Sequence, residues 1–257
     1  MASYNNLLYN KQDGVARLSL NRPEARNALN TELFLEMLDA LEDADQDADT
    51  RVVVLTGEGP VFCAGQDLKF TAALTGEDMA YYLAVNNGAR EKLMGMDKPV
   101  VARVQGPAVG GGGYIVTSCD IIVMNEATFL RMAEIRTGQC SGGAHLYTVG
   151  RQHSLEINLT GRDIYAPEAE RWGLINKSVP LAKLDETVNE YVEMLIANPP
   201  IPLAHTKRVT TMMLNLAGFR TGTDYIQALS RYLHTTEDRK EAQAAFREKR
   251  NPAFQGR

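Results

Sequence analysis

Four consecutive glycines, Gly110 to Gly113, constrain the fold of this chain more than any other feature of its sequence. They follow an apolar run at 99–104 that is typical of a buried strand, and they precede a short apolar segment typical of a helix. Glycines at the start of a helix let the backbone approach a ligand closely and leave N–H groups pointing outward. Close packing of a helix on a strand would explain one such glycine, whereas four in a row favour the approach of a ligand. The run therefore predicts a ligand-binding corner at which N–H groups face a negative charge.

Strand-like and helix-like segments alternate on both sides of this corner. A hairpin is predicted at 7–20, around Asp13-Gly14, and a helix is predicted to begin at Thr31, with Asn30 or Thr31 as its cap. The remaining predicted strands are 51–56, 99–104, 119–124 and 174–179, and the remaining helices are 77–96, with Tyr81, Val85 and Gly88 on one side, 144–159 and a short one from Pro167. This rhythm indicates parallel βαβ units and an α/β fold.

Beyond residue 183 the pattern becomes purely helical. Helices are predicted at 184–197, 203–216, 222–234 and 237–248, with a break at 199–202. We divide the chain into a core at 1–198 and a C-terminal helical region at 199–257. Several large apolar side chains of that region have no strand to cover, so we expect them to pack against another subunit. They are Leu216, Phe219, Tyr225, Leu229 and Tyr232.

Composition narrows the class of protein. The chain has 257 residues and a net charge of -5, with no Lys/Arg stripe of the kind that binds nucleic acid. Its three cysteines are widely spaced and odd in number, which favours neither a disulfide framework nor a zinc site. No window approaches 18 apolar residues and the first residues do not resemble a signal peptide. We therefore expect a cytoplasmic protein that binds neither nucleic acid, membrane nor metal.

Two segments in this order, 62–67 (FCAGQD) and 105–112 (QGPAVGGG), closely resemble the two signature segments of the crotonase (enoyl-CoA hydratase/isomerase) superfamily. Further matches span nearly the whole chain in the family's order. They are 21–29 (NRPEARNAL), 119–122 (CDII), 127–129 (ATF), 159–162 (LTGR), 172–176 (WGLIN) and 249–254 (KRNPAF).

The resemblance implies a crotonase-like spiral of βαβ units that binds an acyl-coenzyme A thioester and stabilises its enolate. In the family two backbone N–H groups form the oxyanion hole, and these map onto Ala64 and Gly111. Preorganised donors of this kind stabilise a developing oxyanion by roughly 3 to 4 kcal/mol each. No cofactor is implied beyond the coenzyme A of the substrate. The resemblance also implies a homotrimer or hexamer.

Hydratases of the family usually carry two glutamates, and the resemblance maps only the second one, Glu134, onto a glutamate here. The first position holds Tyr114, which could donate a hydrogen bond or only fill space. A single carboxylate can add water by exchanging acid and base roles, or can shuttle a proton between two carbons. The preferred function is therefore a 2-enoyl-CoA hydratase, with a double-bond isomerase as the alternative. A hydrolase, a carbon–carbon lyase or a non-catalytic acyl-CoA-binding protein on the same scaffold also remain open.

The other candidate residues surround these two corners. Arg26 and Lys69 are candidates for the coenzyme's phosphates. The full set expected to bind the substrate is Arg26, Cys63, Ala64, Gln66, Asp67, Leu68, Lys69, Gly110, Gly111 and Cys140. Ser141 and His145 have the spacing of a nucleophile and a base on one helix face, but no nucleophile elbow accompanies them, so coincidence is favoured. The segment 135–143 departs from the family's usual loop, which shapes the acyl pocket and positions the glutamate, so the substrate and the exact reaction both stay open.

Overall fold

The computed structural model describes residues 4–140 and 145–256, and within them the chain forms two sheets surrounded by helices. The strands are β1 Leu7–Gln12, β2 Val15–Leu20, β3 Val52–Gly57, β4 Val100–Val104, β5 Ala108–Val109, β6 Ile121–Asn125, β7 Phe129–Arg131, β8 Ile164–Tyr165 and β9 Lys177–Val179. The helices are α1 Thr31–Gln46, α2 Leu68–Thr71, α3 Gly76–Gly95, α4 Gly111–Thr117, α5 Leu146–Thr160, α6 Ala166–Arg171, α7 Leu184–Ile196, α8 Pro200–Leu216, α9 Phe219–Leu233 and α10 Glu237–Glu248. Single turns of 3-10 helix lie at Pro23–Ala25, Glu134–Thr137 and Leu181–Lys183.

The larger sheet has the order β1-β2-β3-β4-β6-β9 and is parallel except for the β1–β2 hairpin. Asp13 and Gly14 both have positive φ, as the predicted tight turn requires. One face of the sheet packs under α1 and α3, and the other face packs against α7. Because both faces are covered, β3 is buried almost throughout and reads as a continuous apolar run. The predicted α/β fold with parallel strands is confirmed.

A smaller sheet, with the order β5-β7-β8, sits beside the glycine run. Isolated bridges link Leu29 to Gln66 and Cys63 to Ala108, so the segment after β3 is fixed between α1 and the smaller sheet. These pairings bring the first signature segment, 62–67, into contact with the second one, 105–112, which contains the glycine run.

Several predicted bounds differ from the structure. The strand predicted at 174–179 is only Lys177–Val179. The amides of Leu174 and Ile175, which lie in the turn after α6, donate instead to the carbonyl oxygen of Ala169 within that helix. Helix α8 begins at Pro200 instead of 203, because proline in a first turn loses no hydrogen bond. In α3 the buried tyrosine is Tyr82, while Tyr81 is 54% exposed. The start of the helix predicted from 144 lies outside the described residues.

The C-terminal helices pack on the core in sequence: α8 on α3, α9 on α8, and α10 on the turn Glu134–Thr137. Neither α8 nor α9 fully buries any residue, and Leu216 and Tyr225 are 79% and 66% exposed. The packing of this region on another subunit stays a prediction. Among the described residues, none of the helices has the length and apolarity needed to cross a bilayer.

Candidate active site

The first corner, between β3 and α2, is built around the buried thiol of Cys63. Its S–H donates to the carbonyl oxygen of Asn27 at 3.1 Å, and burial raises its pKa to about 12. Asn27 in turn donates through Nδ2 to the carbonyl oxygens of Glu58, Val61 and Phe62. Cys63 is therefore a wall of the corner and has no surface left for the substrate contact that was expected of it.

The glycine run fits against this wall so closely that side chains have no room. A Cβ on Gly112 would stand 2.6 Å from Cβ of Cys63, and one on Gly111 would stand 2.9 Å from Cδ1 of Leu29. Gly110 has a φ of +52°, and a Cβ there would lie 3.2 Å from Oε1 of Glu134. The run thus places the first turn of α4 between the first corner and the Glu134 carboxylate.

The amides at this junction show which N–H groups are available. Gly111 N–H has no acceptor among the described residues, and its nitrogen lies 3.6 Å from the position of a Cβ on Gly65. The N–H of Ala64, in contrast, donates to the carbonyl oxygen of Arg26 at 3.0 Å. The structure therefore does not support Ala64 as an oxyanion donor, because its hydrogen bond is already made. The amide of Gln66, the residue that directly follows Gly65, also has no acceptor among the described residues.

The Glu134 carboxylate meets the glycine run from the smaller sheet. Glu134 is the first residue of the 3-10 turn Glu134–Thr137. Its backbone carbonyl oxygen accepts from the Gln139 amide and the Thr137 hydroxyl. Its Oε2 is buried and has no hydrogen-bond partner among the described residues. Burial raises the pKa of this carboxyl to about 7, against a smaller opposing effect of the charge on Arg90. A carboxyl with that pKa exchanges a proton readily near neutral pH.

Tyr114 holds the position onto which the resemblance maps the first glutamate. Its ring stacks on the imidazole of His145, with 5.5 Å between the centroids, and the guanidinium carbon of Arg90 lies 4.6 Å from its ring centre. His145 is buried, and burial together with Arg90 lowers its pKa to about 4, so its imidazole is neutral at pH 7. Ser141 lies outside the described residues, so the Ser141–His145 pair cannot be placed.

The other candidates divide into structural and exposed residues. Asp67 caps α2 by accepting from the amides of Lys69 and Phe70, and it pairs with Arg22 at 3.1 Å, so its role is structural. Arg26, Leu68 and Lys69 are exposed, and neither basic side chain has an ion pair among the described residues. Their proposed contact with the coenzyme stays a prediction. Cys140 is partly buried, which raises the pKa of its thiol.

Reasoning from the sequence missed Arg90, and it considered His145 only as a partner of Ser141 and set that pair aside as a coincidence. Arg90 lies on the inward side of α3, adjacent to the buried stripe formed by Tyr82, Val85, Ala89 and Leu93. A charged residue beside such a stripe is a signal that could have singled it out. His145 carries no comparable signal. Among the described residues, no three His, Cys, Asp or Glu side chains come together as metal ligands would.

Comparison with known proteins agrees with this geometry. The family model described as enoyl-CoA hydratase/isomerase matches residues 10–257. The chain is 36% identical to the Rhizobium meliloti (strain 1021) protein named "Probable enoyl-CoA hydratase", over 99% of this chain and all of that one. It is 32% identical to the 2,3-dehydroadipyl-CoA hydratase of Escherichia coli (strain K12), over 98% and 99% of the two chains.

Solved structures give the same result. Carnitinyl-CoA hydratase from Mycobacterium avium superposes with a TM-score of 0.86 at 29% identity, over 99% of this chain and all of that one. An enoyl-CoA hydratase/isomerase from Pseudoalteromonas atlantica T6c also gives 0.86, at 26% identity over 98% of this chain and all of that one. The chain belongs to the enoyl-CoA hydratase/isomerase family and has its crotonase fold. It is therefore an acyl-CoA-processing enzyme.

Proposed function

We propose that the protein is a 2-enoyl-CoA hydratase in which Glu134 is the acid and base and the amides of Gly111 and Gln66 hold the thioester oxygen. One observation carries the proposal: a carboxyl whose pKa is about 7 faces a corner with two N–H groups that lack acceptors among the described residues. Names among the relatives support hydration as the reaction.

The reaction needs only these groups. Ionised Glu134 takes a proton from a water molecule while the water oxygen bonds to C3, and electron density moves through C2 to the thioester oxygen. The two amides stabilise the resulting enolate because they are fixed before charge develops. Glu134 then returns the proton to C2, so one water has been added and the carboxylate is restored. The step requires no cofactor beyond the coenzyme A of the substrate.

The single carboxylate supports an isomerase as the second candidate. Tyr114 replaces the first glutamate, so Glu134 alone would move a proton between C2 and C4 of a 3-enoyl thioester through the same enolate. No separate water-activating residue is needed for that reaction.

Two substrates separate these reactions. Purified protein is incubated with crotonyl-CoA and with a 3-enoyl-CoA, and the products are analysed by mass spectrometry. Hydration adds the mass of one water to crotonyl-CoA, whereas isomerisation leaves the mass of the 3-enoyl-CoA unchanged while its double bond becomes conjugated. Turnover of the second substrate alone would contradict the hydratase assignment, and free acid or a shortened acyl-CoA would indicate hydrolysis or carbon–carbon cleavage.

We also propose that the enzyme acts in the cytoplasm as a homotrimer or hexamer. The three cysteines are all free thiols, which suits a reducing compartment. Exposed apolar residues on the C-terminal helices suit an interface between copies.

A further inference from the structure

The Arg90 guanidinium is set among buried groups without an acid to pair with among the described residues. It projects from α3 over the ring of Tyr114, and its Nε is buried without an acceptor. Within the same part of the chain it forms neither a hydrogen bond nor an ion pair. It lies close to the candidate site, because its guanidinium carbon is 4.6 Å from the centre of the Tyr114 ring, which stacks on His145, and its charge lowers the pKa of both Glu134 and His145.

Other basic side chains removed from solvent have polar partners among the described residues, although the Nε of Arg239 lacks an acceptor as the Nε of Arg90 does. Lys207 pairs with Asp120 at 2.7 Å, and Arg162 binds both Glu156 and Glu168. Arg239 donates to the carbonyl oxygen of Thr137. An unpaired charge removed from water is costly, and a cation–π contact with one tyrosine returns only about 0.5 to 2 kcal/mol. An anionic or strongly accepting ligand would therefore complete the Arg90 site, where Nε is buried without an acceptor and the side chain borders a cavity.

A cavity of about 270 Å³ beside Arg90 provides room for such a ligand. It lies between α3 and helices α8 and α9, and Asn87, Thr211 and Thr223 contribute polar groups to its wall. Arg220 adds a second, exposed guanidinium, and the only acid among the lining residues is Glu91, which is also exposed. Met94 and Phe219 make part of the wall apolar, so the cavity suits a ligand with an apolar body and a carboxylate end that meets the guanidinium.

The cavity is linked to the site through Arg90, whose guanidinium carbon lies 4.6 Å from the centre of the Tyr114 ring. Tyr114 follows Gly111 by three residues on α4, which is about 4.5 Å along the helix axis. A thioester whose oxygen binds the Gly111 amide would extend past Glu134 and the Tyr114 ring to Arg90. The exposed basic residues Arg26 and Lys69 do not line this cavity and lie instead beside the first corner.

We propose that Arg90 determines substrate specificity by binding a carboxylate at the far end of the acyl group, so that the enzyme prefers ω-carboxyacyl-CoA thioesters to neutral ones. The inference rests on the proposed function for the position of the thioester. Guanidinium and carboxylate match in geometry and form paired hydrogen bonds, which Lys cannot reproduce.

The test measures binding and turnover separately. Calorimetry compares saturated acyl-CoA thioesters of four to eight carbons with their ω-carboxylate counterparts, for example hexanoyl-CoA with adipyl-CoA. We expect the wild type to bind the carboxylate form at least ~10-fold more tightly at the length that reaches Arg90. Arg90→Met should abolish that preference and Arg90→Lys should restore part of it. Arg231→Met, at an exposed position of α9 outside the cavity, should change it less than threefold, and Arg220→Met measures the contribution of the second guanidinium.

The outcomes distinguish the two proposals. Equal affinity for neutral and carboxylate forms at every length in the wild type would overturn the inference, and so would a preference that survives Arg90→Met or depends only on Arg220. If the preference depends on Arg90 but neither matching 2-enoyl-CoA gains water, the specificity assignment stands and the hydratase assignment fails. If the neutral 2-enoyl-CoA gains water but no carboxylate preference is found, the hydratase assignment stands and the specificity assignment fails.

Discussion

At the scale of single residues, the chemistry depends on how Glu134 is surrounded. Removing a carboxyl from water disfavours its charged form. At Oε2 of Glu134 no hydrogen bond from a described residue offsets that free-energy cost. Arg90 opposes the shift without pairing with the acid, so the carboxyl has a pKa near 7. The same side chain that selects the substrate in our proposal thus also adjusts the acid that reacts with it.

Glu134→Gln should lower kcat for hydration by roughly 10²-fold or more, because the amide can neither take up nor return the proton. The affinity for a saturated acyl-CoA should change little. In the wild type kcat/KM should rise with pH through about 7, the pKa of Glu134, since the ionised carboxylate begins the reaction. Steady-state rates from pH 5 to 9 test this, with Glu126→Gln as a control. Wild-type rates in Glu134→Gln would show that Glu134 is not the acid and base of the reaction.

Glu134→Gln should also alter the dependence of stability on pH. The folded state holds the Glu134 proton up to a pKa of about 7, whereas the unfolded chain releases it near the ordinary glutamate pKa of 4.5. Folding therefore takes up a proton between these pH values, and this group's contribution to the free energy of unfolding falls as pH rises.

Glu134→Gln lacks this loss, so it should exceed the wild type in stability by on the order of 1 to 3 kcal/mol at pH 8 and by little at pH 4.5. Urea unfolding at both pH values measures the difference. A gap that stays constant with pH would show that Glu134 has an ordinary pKa.

At the scale of elements, the glycine run serves as a packing surface as well as a source of N–H groups. Cys63, Leu29 and Met132 each stand within 3 Å of a position that a Cβ in the run would occupy. Helix α4 can therefore touch the first corner only because its first turn has no side chains.

Gly112→Ala should destabilise the fold by about 2 kcal/mol or more, since the new Cβ would lie 2.6 Å from both Cβ and the carbonyl oxygen of Cys63. Gly88→Ala is the matched control: it lies inside α3, and its nearest neighbour is Leu38 at 4.0 Å. That change should stabilise the protein by about 0.5 to 1 kcal/mol. Urea midpoints compare the two, and equal effects would disprove the tight packing.

Helix α10 holds the acid-bearing turn in place through Arg239. Its buried guanidinium donates to the carbonyl oxygen of Thr137, and a Cβ on Gly138 would lie 2.8 Å from the Cα of Arg239. Arg239→Met should therefore lower kcat about tenfold. The pH at the midpoint of the rise in rate should also fall below 7, because water reaches Glu134 and lowers its pKa. Arg239→Lys should recover part of both. A change in thermal stability alone, with an unmoved pH profile, would reduce Arg239 to a purely structural residue.

At the scale of the whole molecule, the C-terminal helices present apolar residues that the single chain does not cover. Met213, Leu216, Tyr225 and Tyr232 are each more than 60% exposed. Patches of this kind mark interfaces between proteins.

Light scattering at micromolar concentration should therefore give the mass of a trimer or hexamer. Leu216→Glu combined with Tyr225→Glu should shift the mass toward that of one chain, because charges cannot be buried in an apolar contact. A wild-type monomer would remove the interface interpretation of 199–257. Leu8→Glu, an exposed leucine on β1, serves as the control for added charge.

Hydrophobic periodicity and turn residues predicted most of the fold, because they report local requirements. The turn at Asp13-Gly14, the Asn30 cap and the run at Val52 each act within a few residues. The site was harder to predict because it depends on tertiary contacts. Nothing adjacent to Ala64 shows that Arg26 accepts its N–H, and nothing near Arg90 in the sequence shows that no acid of the described chain pairs with it.

The contact between Arg239 and Thr137 joins positions 102 apart in the chain. During synthesis the acid-bearing turn leaves the ribosome long before the side chain that holds it does. A nascent chain can therefore assemble its sheet, including β9, while the reactive carboxyl is still unsupported. We therefore expect full catalytic activity only at the end of translation, and a protein cut short before α10 should resemble the finished one in its core yet convert thioesters at least about tenfold more slowly.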